Sequence, residues 1–533
     1  MGFNHNGPQG PVGQMPPPGN MAAMAEWKEL GAQLSAQRFN RNSKGQRRLL
    51  AILAIITLIL VIFAAVRMNA LASNNGDQLT IHIASQQDAI IDLRKSVEIS
   101  PYLFGANVLP KVASNSTDAD NSGVMPYSPK LAQGLQTMGI KMLRYPGGSW
   151  GEQHILSNDQ LNDFNKMLTD TKTTGMMQVH LSGTKGQDDP AQLAAQWVQS
   201  MKSVQLWSIG NEPDLTVNPA TGKSYTADEY AQAFIQISTK MHQANPNIKV
   251  FGPELSSYFD ANAGFQSANA HTWIDEFLQK IGEYEKQNNG KVLDGISFHY
   301  YPHTTPFAQP GLLMSSGNEW SYILPDLRAQ IQKTLGRDVP IAITAMNTNP
   351  DRSGSQAQIP PTYGALWLAD TIGTLMNEQV AYAAFYSASS AMQNPTSLFA
   401  LDGSETAMGR VFELFTHLQD HVVPLAIQDD PLAVFATTSK DRKTLSLMFV
   451  NKTPLTQHAQ VNPSTIQISS GSWPFEDIKI AAYSAVVVTL HRDSGQAEGY
   501  TFIPPTKTDG LVAPVNSTIC GLRTDPVDAS IPC

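Results

Sequence analysis

The chain has 533 residues, and 45 acidic against 36 basic residues give it a formal net charge of −9. This acidic balance excludes a general nucleic-acid binder, because such proteins need positive charge to attract phosphate. The length indicates more than one domain, and 42% hydrophobic residues exclude a largely disordered chain.

Residues 1–48 are predicted to be a disordered cytoplasmic tail. The first 20 contain five Gly and five Pro and no Asp, Glu, Lys or Arg, a composition that cannot form a packed core. Residues 49–66 are 18 uncharged, mostly apolar residues, which at ~1.5 Å per residue cover most of a ~30 Å hydrocarbon layer. A signal peptide would begin near residue 1, and a buried core helix is the other alternative. A transmembrane helix is favoured over both.

The charges around residues 49–66 predict how the chain is oriented. Only Arg67 follows the segment closely, whereas six basic residues precede it: Lys28, Arg38, Arg41, Lys44, Arg47 and Arg48. Because the positive flank stays in the cytoplasm, we expect a single-pass membrane protein with the lipid bilayer as a partner and the rest of the chain outside. Residues 67–98 are then a linker, in which 78–97 are possible strands of a later domain.

From residue 99 to 420 short apolar runs alternate with amphipathic stretches. Eight strands are predicted, at 102–108, 140–145, 176–181, 204–209, 248–251, 295–300, 339–344 and 380–386. Helices are predicted between them at 191–202, 225–244, 271–287 and 363–377. The second of these helices opens with Thr226 and, three residues on, Glu229, a capping-box pattern. Eight βα units indicate a (β/α)₈ barrel; a doubly wound open sheet is the alternative, but no GxGxxG follows the first strand.

The pattern changes to strands alone over residues 421–503, which predicts a β-sandwich. Its predicted strands are 432–438, 444–451, 457–461, 465–468 and 482–491. Residues 504–533 read as a Pro-rich tail that holds the only two cysteines, Cys520 and Cys533. Two cysteines exclude a disulfide scaffold and a multi-cysteine zinc module. Outside the cell they are expected to close a 14-residue loop, with two free thiols as the alternative.

Functional groups of such a barrel lie after the carboxyl ends of its strands. The residues at these ends are rich in carboxylates, amides and aromatic rings; they lie at 144–150, 207–214, 252–254, 297–303, 343–347 and 384–386. Aromatic rings stack on the apolar faces of sugars, and amides and carboxylates bond sugar hydroxyls. Two carboxylates can also cleave a glycosidic bond, one as acid and the other as nucleophile or base. A poly- or oligosaccharide is therefore the expected partner.

The run Ile209-Gly210-Asn211-Glu212-Pro213 resembles the Asn-Glu-Pro motif of clan A, the retaining (β/α)₈ glycoside hydrolases. The stretches 103–107, 144–150 and 298–301 and the trailing strands are similar to that clan as well, and the closest likeness is to its heparanase/β-glucuronidase and β-xylosidase-type families. The resemblance covers 99–491. It implies that Glu212 is the general acid/base and that Asn211 bonds the hydroxyl next to the anomeric carbon. A capping or salt-bridged carboxylate is the alternative for Glu212.

The nucleophile of the clan is a glutamate at the end of the seventh strand, and here the matching position is Ala345. A methyl group cannot attack an anomeric carbon. Three interpretations remain open: a glutamate has been replaced, the chain is an inactive relative that only binds sugar, or Glu254 or Asp214 serves as base in an inverting mechanism. The mechanisms differ in carboxyl separation, ~5–5.5 Å for retention and ~6.5–9.5 Å for inversion.

The remaining candidates are predicted substrate contacts: Arg144, Trp150, Glu254, His299, Tyr301, Asn347 and Tyr386. Arg144 can instead brace the barrel, and His299 can instead be a buried core histidine. Glu152 and Glu319 are either substrate contacts or solvated loop charges. No metal or other cofactor is expected, since Pro302 breaks the helix that a His299–His303 zinc pair would need. The leading prediction is a membrane-anchored glycoside hydrolase with impaired turnover. The alternatives are a sugar-binding pseudoenzyme and a structural surface protein whose barrel is only a scaffold.

Overall fold

The structure is a computed structural model that divides the chain into two compact units, Met1–Ser73 and Asn74–Cys533. It describes Thr57 and residues 77–83, 88–111, 128–182, 189–258, 272–302, 310–349, 360–389, 397–400, 403–425, 431–469, 473–475 and 477–503. None of the helices in these ranges combines the length and the hydrophobicity that a membrane span requires. The predicted transmembrane segment, apart from Thr57, and the predicted Cys520–Cys533 disulfide lie outside the described residues.

Eight parallel strands close into a barrel in the second unit. Three short strands precede it, β1 (Gln78–Ile83), β2 (Ala89–Asp92) and β3 (Val97–Glu98). The barrel strands follow in chain order: β4 (Gly105–Asn107), β5 (Met142–Tyr145), β6 (Thr174–Val179), β7 (Leu206–Ile209), β8 (Lys249–Leu255), β9 (Gly295–Tyr300), β10 (Ile341–Met346) and β11 (Tyr382–Phe385). Each pairs with the next, and β11 pairs with β4. All eight predicted strands are confirmed, so the chain forms the predicted (β/α)₈ barrel and not an open sheet.

Helices surround the barrel in the described part of the chain. They are α1 (Pro129–Thr137), α2 (Trp150–Gln153), α3 (Asn158–Thr171), α4 (Pro190–Ser200), α5 (Ala227–Ala244), α6 (Thr272–Asn288), α7 (Pro310–Ser315), α8 (Trp320–Leu335), α9 (Pro361–Asn377) and α10 (Ala407–Phe415). Helical turns of the 3₁₀ type occupy Leu93–Lys95, Pro101–Leu103 and Ser316–Glu319. The four predicted helices are α4, α5, α6 and α9.

The starts of two helices are set by reciprocal side-chain caps. At α5 the Thr226 hydroxyl accepts a bond from the Glu229 amide, and the Glu229 carboxylate accepts one from the Thr226 amide, which confirms the predicted capping box. Ser157 and Gln160 make the same pair of bonds at the start of α3. Each pair satisfies two amides that have no partner inside the helix.

Two antiparallel sheets form the second part of this unit. Its strands are β12 (His421–Val423), β13 (Leu432–Thr438), β14 (Thr444–Asn451), β15 (Gln457–Asn462), β16 (Ile478–Ile480), β17 (Ala485–His491) and β18 (Gln496–Phe502). The sheet orders are β16-β15-β1-β2 and β18-β17-β14-β13-β12-β3, so residues 78–97 return to complete both sheets as predicted. Side chains of the two sheets, among them Leu79, Val434 and Val488, share one apolar core, as in a β-sandwich.

One predicted strand of the sandwich is wrong. Residues 465–468 form a loop, because the amides of Thr465 and Ile466 both donate to the carbonyl of Gln78 at the start of β1 and make no ladder. Three strands of the sandwich were not predicted: β12 and β16 have only three residues each, and β18 is mostly half-exposed.

The barrel interior changes from apolar to polar along its axis. Met142, Met176, Leu206 and Ala342 pack together inside the barrel with Phe251 and Tyr382. Since side chains of a strand face the same side at every second residue, the next interior positions are two residues further on. Those positions hold Arg144, Gln178 and Ser208, all of them buried. A buried polar layer therefore lies at the carboxyl end of the strands, where such barrels carry their sites.

Candidate functional site

Arg144 is the centre of this polar layer. Its side chain is fully buried and donates from Nη1 to Asn107 Oδ1 at 2.9 Å and from Nη2 to Gln178 Oε1 at 3.2 Å. A third bond runs from Nη2 to Glu254 Oε2 at 2.5 Å. These bonds connect β4, β5, β6 and β8 across the barrel. The geometry favours the bracing interpretation of Arg144 over direct contact with a ligand.

Glu254 lies at an irregularity of β8, where the register against β9 shifts between Pro253 and Leu255. Its φ is 59°, a left-handed backbone conformation that costs a non-glycine residue about 1–2 kcal/mol. Burial of its side chain, which is 0% exposed, would raise its pKa. The charge of Arg144 and bonds from His299 outweigh burial and lower the pKa to about 2. Glu254 is therefore an ionised, inaccessible carboxylate.

His299 joins Glu254 to the second carboxylate of the cluster. Its Nδ1 lies 2.8 Å from Glu212 Oε1, and its Nε2 lies 3.4 Å from Glu254 Oε2. Burial opposes a charge on the imidazole, but the two carboxylates outweigh it and raise the pKa of His299. The ring occupies the space between Glu212 and Glu254. Neither water nor a sugar ring can therefore lie between this pair.

Glu212 is the accessible carboxylate of the cluster, with 26% of its side chain exposed. It follows β7 with a φ of 47°. Its amide donates to the Glu254 carbonyl at 2.8 Å, and its own carbonyl accepts bonds from the amides of Leu215 and Thr216. The preceding Asn211 is buried, and its Oδ1 has no hydrogen-bond partner among the described residues. A carboxylate that reaches solvent beside an unused amide oxygen is suited to a hydroxyl-bearing ligand.

Ala345 lies on β10 opposite His299 of β9. The register shifts between Ile343 and Ala345, so that Phe298 pairs with Ile343 and His299 pairs with Ala345. Paired residues of parallel strands direct their side chains to the same face of the sheet. Ala345 therefore faces the same side as the imidazole that contacts Glu212.

The other predicted contacts are mostly buried around this cluster. Trp150 stacks on His154 with ring centroids 4.5 Å apart, and Asn347 donates from Nδ2 to the Tyr386 carbonyl at 2.6 Å. Tyr386 is buried, and its amide donates to the Met346 carbonyl. Half-buried Tyr301 stands edge-on to His299 at 6.4 Å between centroids. Their roles as substrate contacts stay predictions.

Asp214, the other candidate base, is half-buried, and its carboxylate is hydrogen-bonded. Its carboxylate accepts bonds from the amide and the hydroxyl of Ser256, the amide bond measuring 3.0 Å. Burial raises the pKa of Asp214. Both acceptor oxygens are thus engaged in fixing the start of the loop after β7 against the end of β8.

Glu152 and Gln178 complete the cluster. Glu152 is buried on α2; its Oε2 accepts from the Leu181 amide at 3.1 Å and its Oε1 from Gln178 Nε2 at 3.4 Å. Burial raises the pKa of Glu152 to about 7. Glu152 is therefore no solvated loop charge. Gln178 is not among the predicted site residues, although an amide inside the apolar run 176–181 is a usable signal. Among the described residues no group of His, Cys, Asp and Glu could hold a metal ion.

Comparison with known proteins agrees with this architecture. The model of Glycoside hydrolase family 44 matches residues 159–304, a stretch that contains Glu212, Glu254 and His299. No curated protein matches the chain in sequence.

Solved structures of glycoside hydrolases superpose on most of the chain. The GH51 α-L-arabinofuranosidase from Thermotoga petrophila RKU-1 gives a TM-score of 0.54 at 17% identity, over 80% of this chain and 97% of that one. A Glycoside Hydrolase Family 44 endoglucanase from Clostridium acetobutylium ATCC 824 gives 0.53 at 14%, over 75% and 99%. CelM2, a bifunctional glucanase-xylanase from a metagenome library, gives 0.52 at 13%, over 78% and 99%.

At identities this low, the superpositions establish a common fold and not a common substrate. The family match across the site and the shared fold confirm the predicted resemblance to clan A glycoside hydrolases. The finer likeness to the heparanase/β-glucuronidase and β-xylosidase-type families stays a prediction.

Proposed function

We propose that the barrel binds a poly- or oligosaccharide at its carboxyl-terminal mouth and that Glu212 is its general acid/base. Hydrolysis is impaired because Ala345 stands where a retaining enzyme has its nucleophile. The observation that carries this proposal is the register of β9 and β10. It directs Ala345 to the same face as His299, the residue that holds Glu212.

The geometry argues against Glu254 as a substitute for the missing group. An inverting enzyme needs room for the sugar carbon and a water between its two carboxylates. The His299 ring fills that space, and Glu254 is fully buried in its ion pair with Arg144. Asp214 is engaged with Ser256. The retaining mechanism with a replaced nucleophile is therefore the interpretation that we adopt.

A sugar-binding pseudoenzyme is the second candidate. It is favoured by the burial of Glu254 and by the bonds of Asp214 to Ser256, which leave neither carboxylate available as a nucleophile or base. Both candidates require saccharide binding by the chain as it stands. They differ in what a restored nucleophile would do.

We expect the full chain in detergent to bind saccharides without detectable turnover. Suitable probes are gluco-, xylo- and α-L-arabino-oligosaccharides, chosen from the activities for which the structural neighbours are named. Calorimetry should detect binding of at least one of them. Asn211→Ala should weaken that binding about tenfold, because it removes a hydrogen bond of about 1.4 kcal/mol. Glu276→Gln, an exposed change on α6, is the control. Absence of binding to every probe would leave only the scaffold hypothesis.

We further propose that residues 49–66 anchor the protein in the membrane with the barrel outside the cytoplasm. The support is the length of the apolar segment and the excess of basic residues before it. Protease added to intact cells should then cleave the barrel and spare an epitope placed near residue 1. Protection of the barrel together with cleavage of the epitope would contradict the orientation.

A further inference from the structure

Glu254 is linked to Glu212 by two separate sets of contacts. The Glu212 amide donates to the Glu254 carbonyl at 2.8 Å. The His299 ring connects the two side chains, with Nδ1 2.8 Å from Glu212 Oε1 and Nε2 3.4 Å from Glu254 Oε2. Both glutamates have left-handed φ values, 47° for Glu212 and 59° for Glu254. Residues other than glycine keep such conformations only where their surroundings hold them firmly, so the position of Glu254 relative to Glu212 is fixed.

These contacts restrict where the protons of His299 can lie. Glu254 is ionised in its buried ion pair with Arg144 and can only accept a hydrogen bond, so Nε2 of His299 must carry a proton. Nδ1 then either donates a second proton to the Glu212 carboxylate or accepts the proton of a Glu212 carboxylic acid. In both cases one proton lies between Nδ1 and Oε1. Glu212 and His299 therefore share that proton and titrate as a pair.

The surroundings of His299 favour keeping this proton. Among the described residues, Glu212 and Glu254 make the only hydrogen bonds to the ring, and together they raise the pKa of His299 although burial opposes its charge. Three other charged or titratable groups face the cluster: Arg144, which donates to Glu254; Asp214, whose carboxylate repels that of Glu212; and Tyr301, edge-on to the ring. Of the two carboxylates, only that of Glu254 is out of reach of solvent, so its charge on the ring is permanent.

We propose that Glu254 is a positioning residue, which through His299 keeps at Glu212 the proton that the leaving oxygen of the substrate receives. This inference rests on the proposed role of Glu212 as the acid. In the step, the Nδ1–H bond of His299 breaks as an O–H bond forms on the Glu212 carboxylate, and this O–H bond breaks as the proton passes to the departing oxygen. The glycosidic C–O bond breaks with its electron pair on that oxygen. The imidazole is then neutral and still donates from Nε2 to Glu254.

Nitrogen NMR of the full chain in detergent, labelled at histidine, tests the hold of Glu254 on His299. The signals of His299 are identified by their absence from His299→Gln. At neutral pH we expect protons on both ring nitrogens of the unaltered chain, with a titration midpoint above the ordinary value of 6.5. Glu254→Gln keeps an acceptor for Nε2 but removes the charge, and should lower the midpoint by about one pH unit or more. Glu276→Gln, on the surface of α6, is the control and should leave it unchanged.

Glu254→Gln leaves Arg144 without its buried counter-charge, so circular dichroism must verify the fold of this variant. Glu212→Gln gives a second reading with that ion pair intact. It should also lower the titration midpoint of His299, because it removes the other carboxylate that contacts the ring.

The pH dependence of a reaction separates this role from a purely structural one. Azide supplies the nucleophile, and the substrate is the oligosaccharide that the chain binds, since its departing group needs a proton. Formation of glycosyl azide should fall about tenfold per pH unit above the pH at which Glu212 and His299 lose their shared proton. In Glu254→Gln this decline should begin about one pH unit lower. A residue that only stabilises the fold would change the rate by the same factor at every pH.

The outcomes separate this inference from the function on which it rests. A His299 midpoint that is the same in the unaltered chain, Glu254→Gln and Glu212→Gln overturns the inference and leaves the proposed function standing. A neutral imidazole with its proton on Nδ1 in the unaltered chain overturns it as well, as does a pH decline that Glu254→Gln does not move. The expected titration of His299 without any glycosyl azide supports the hold of Glu254 on His299 and overturns the proposed function.

Discussion

Replacing Ala345 by glutamate is expected to convert the chain into a measurable glycoside hydrolase. The new carboxylate would face the same side as His299, whose Nδ1 contacts Glu212. It can then attack the anomeric carbon while Glu212 protonates the departing oxygen. We expect release of p-nitrophenol from the bound glycoside to rise by about 10³-fold, which corresponds to about 4 kcal/mol of transition-state stabilisation.

Two variants test whether the gain comes from the nucleophile. Ala345→Gln has the same size without the negative charge and should stay at the unaltered rate. Glu212→Gln in the Ala345→Glu background should lose most of the gain, because no base then activates the water that hydrolyses the covalent glycosyl-enzyme intermediate. A rise in Ala345→Gln equal to that in Ala345→Glu would contradict covalent catalysis from this position.

The unaltered chain offers a second measurement, which does not depend on placing a charge at a buried position. Azide is a small anion that can attack the anomeric carbon in place of the missing carboxylate, while Glu212 gives its proton to the leaving oxygen. A glycosyl azide should then form, and mass spectrometry can detect it. If azide yields no such product and a folded Ala345→Glu variant shows no turnover, the pseudoenzyme is the correct interpretation.

The residues at the strand ends were predictable from the sequence, but the contacts among their side chains were not. Alternating apolar runs located all eight barrel strands, and strand polarity then placed Arg144, Glu212 and His299 at one end. Their pairing depends on which strands become neighbours when the barrel closes and on the irregularity of β8 at Glu254. No local pattern in the sequence encodes that irregularity. The sequence therefore leaves Glu254 open as a candidate base, and its buried ion pair with Arg144 argues against that role.

Some misses were avoidable. The capping-box rule that located α5 applies equally to Ser157 and Gln160, and it marks the start of α3, which the sequence analysis omitted. No comparable rule distinguishes the loop at 465–468 from a strand. Its β-branched residues favour a strand, but their amides bond to the carbonyl of Gln78, a residue nearly 400 positions earlier.

Glu152→Gln is expected to change how the stability of the fold depends on pH. The pKa of Glu152 is raised from 4.5 to about 7, chiefly because burial disfavours its charged form. Between these two values the folded chain keeps a proton that the unfolded chain has lost. The free energy of unfolding of the unaltered chain must therefore fall as pH rises from about 4.5 to about 7, by about 3 kcal/mol in total. This contribution is absent from the variant, which has no proton to lose at this position.

Urea unfolding at several pH values measures this difference. In the variant the side-chain oxygen can still accept the bond from the Leu181 amide, but the side-chain nitrogen, a donor, then faces Nε2 of Gln178, which is also a donor. This mismatch adds a penalty that does not vary with pH. The informative quantity is therefore the difference in the free energy of unfolding between Glu152→Gln and the unaltered chain. From pH 5 to pH 8 this difference should change by about 2–3 kcal/mol in favour of Glu152→Gln. Glu276→Gln on the surface of α6 should show no such trend. A stability difference between Glu152→Gln and the unaltered chain that is constant with pH would mean that Glu152 is already ionised in the folded protein. The polar layer around Arg144 would then carry one more negative charge than its burial indicates.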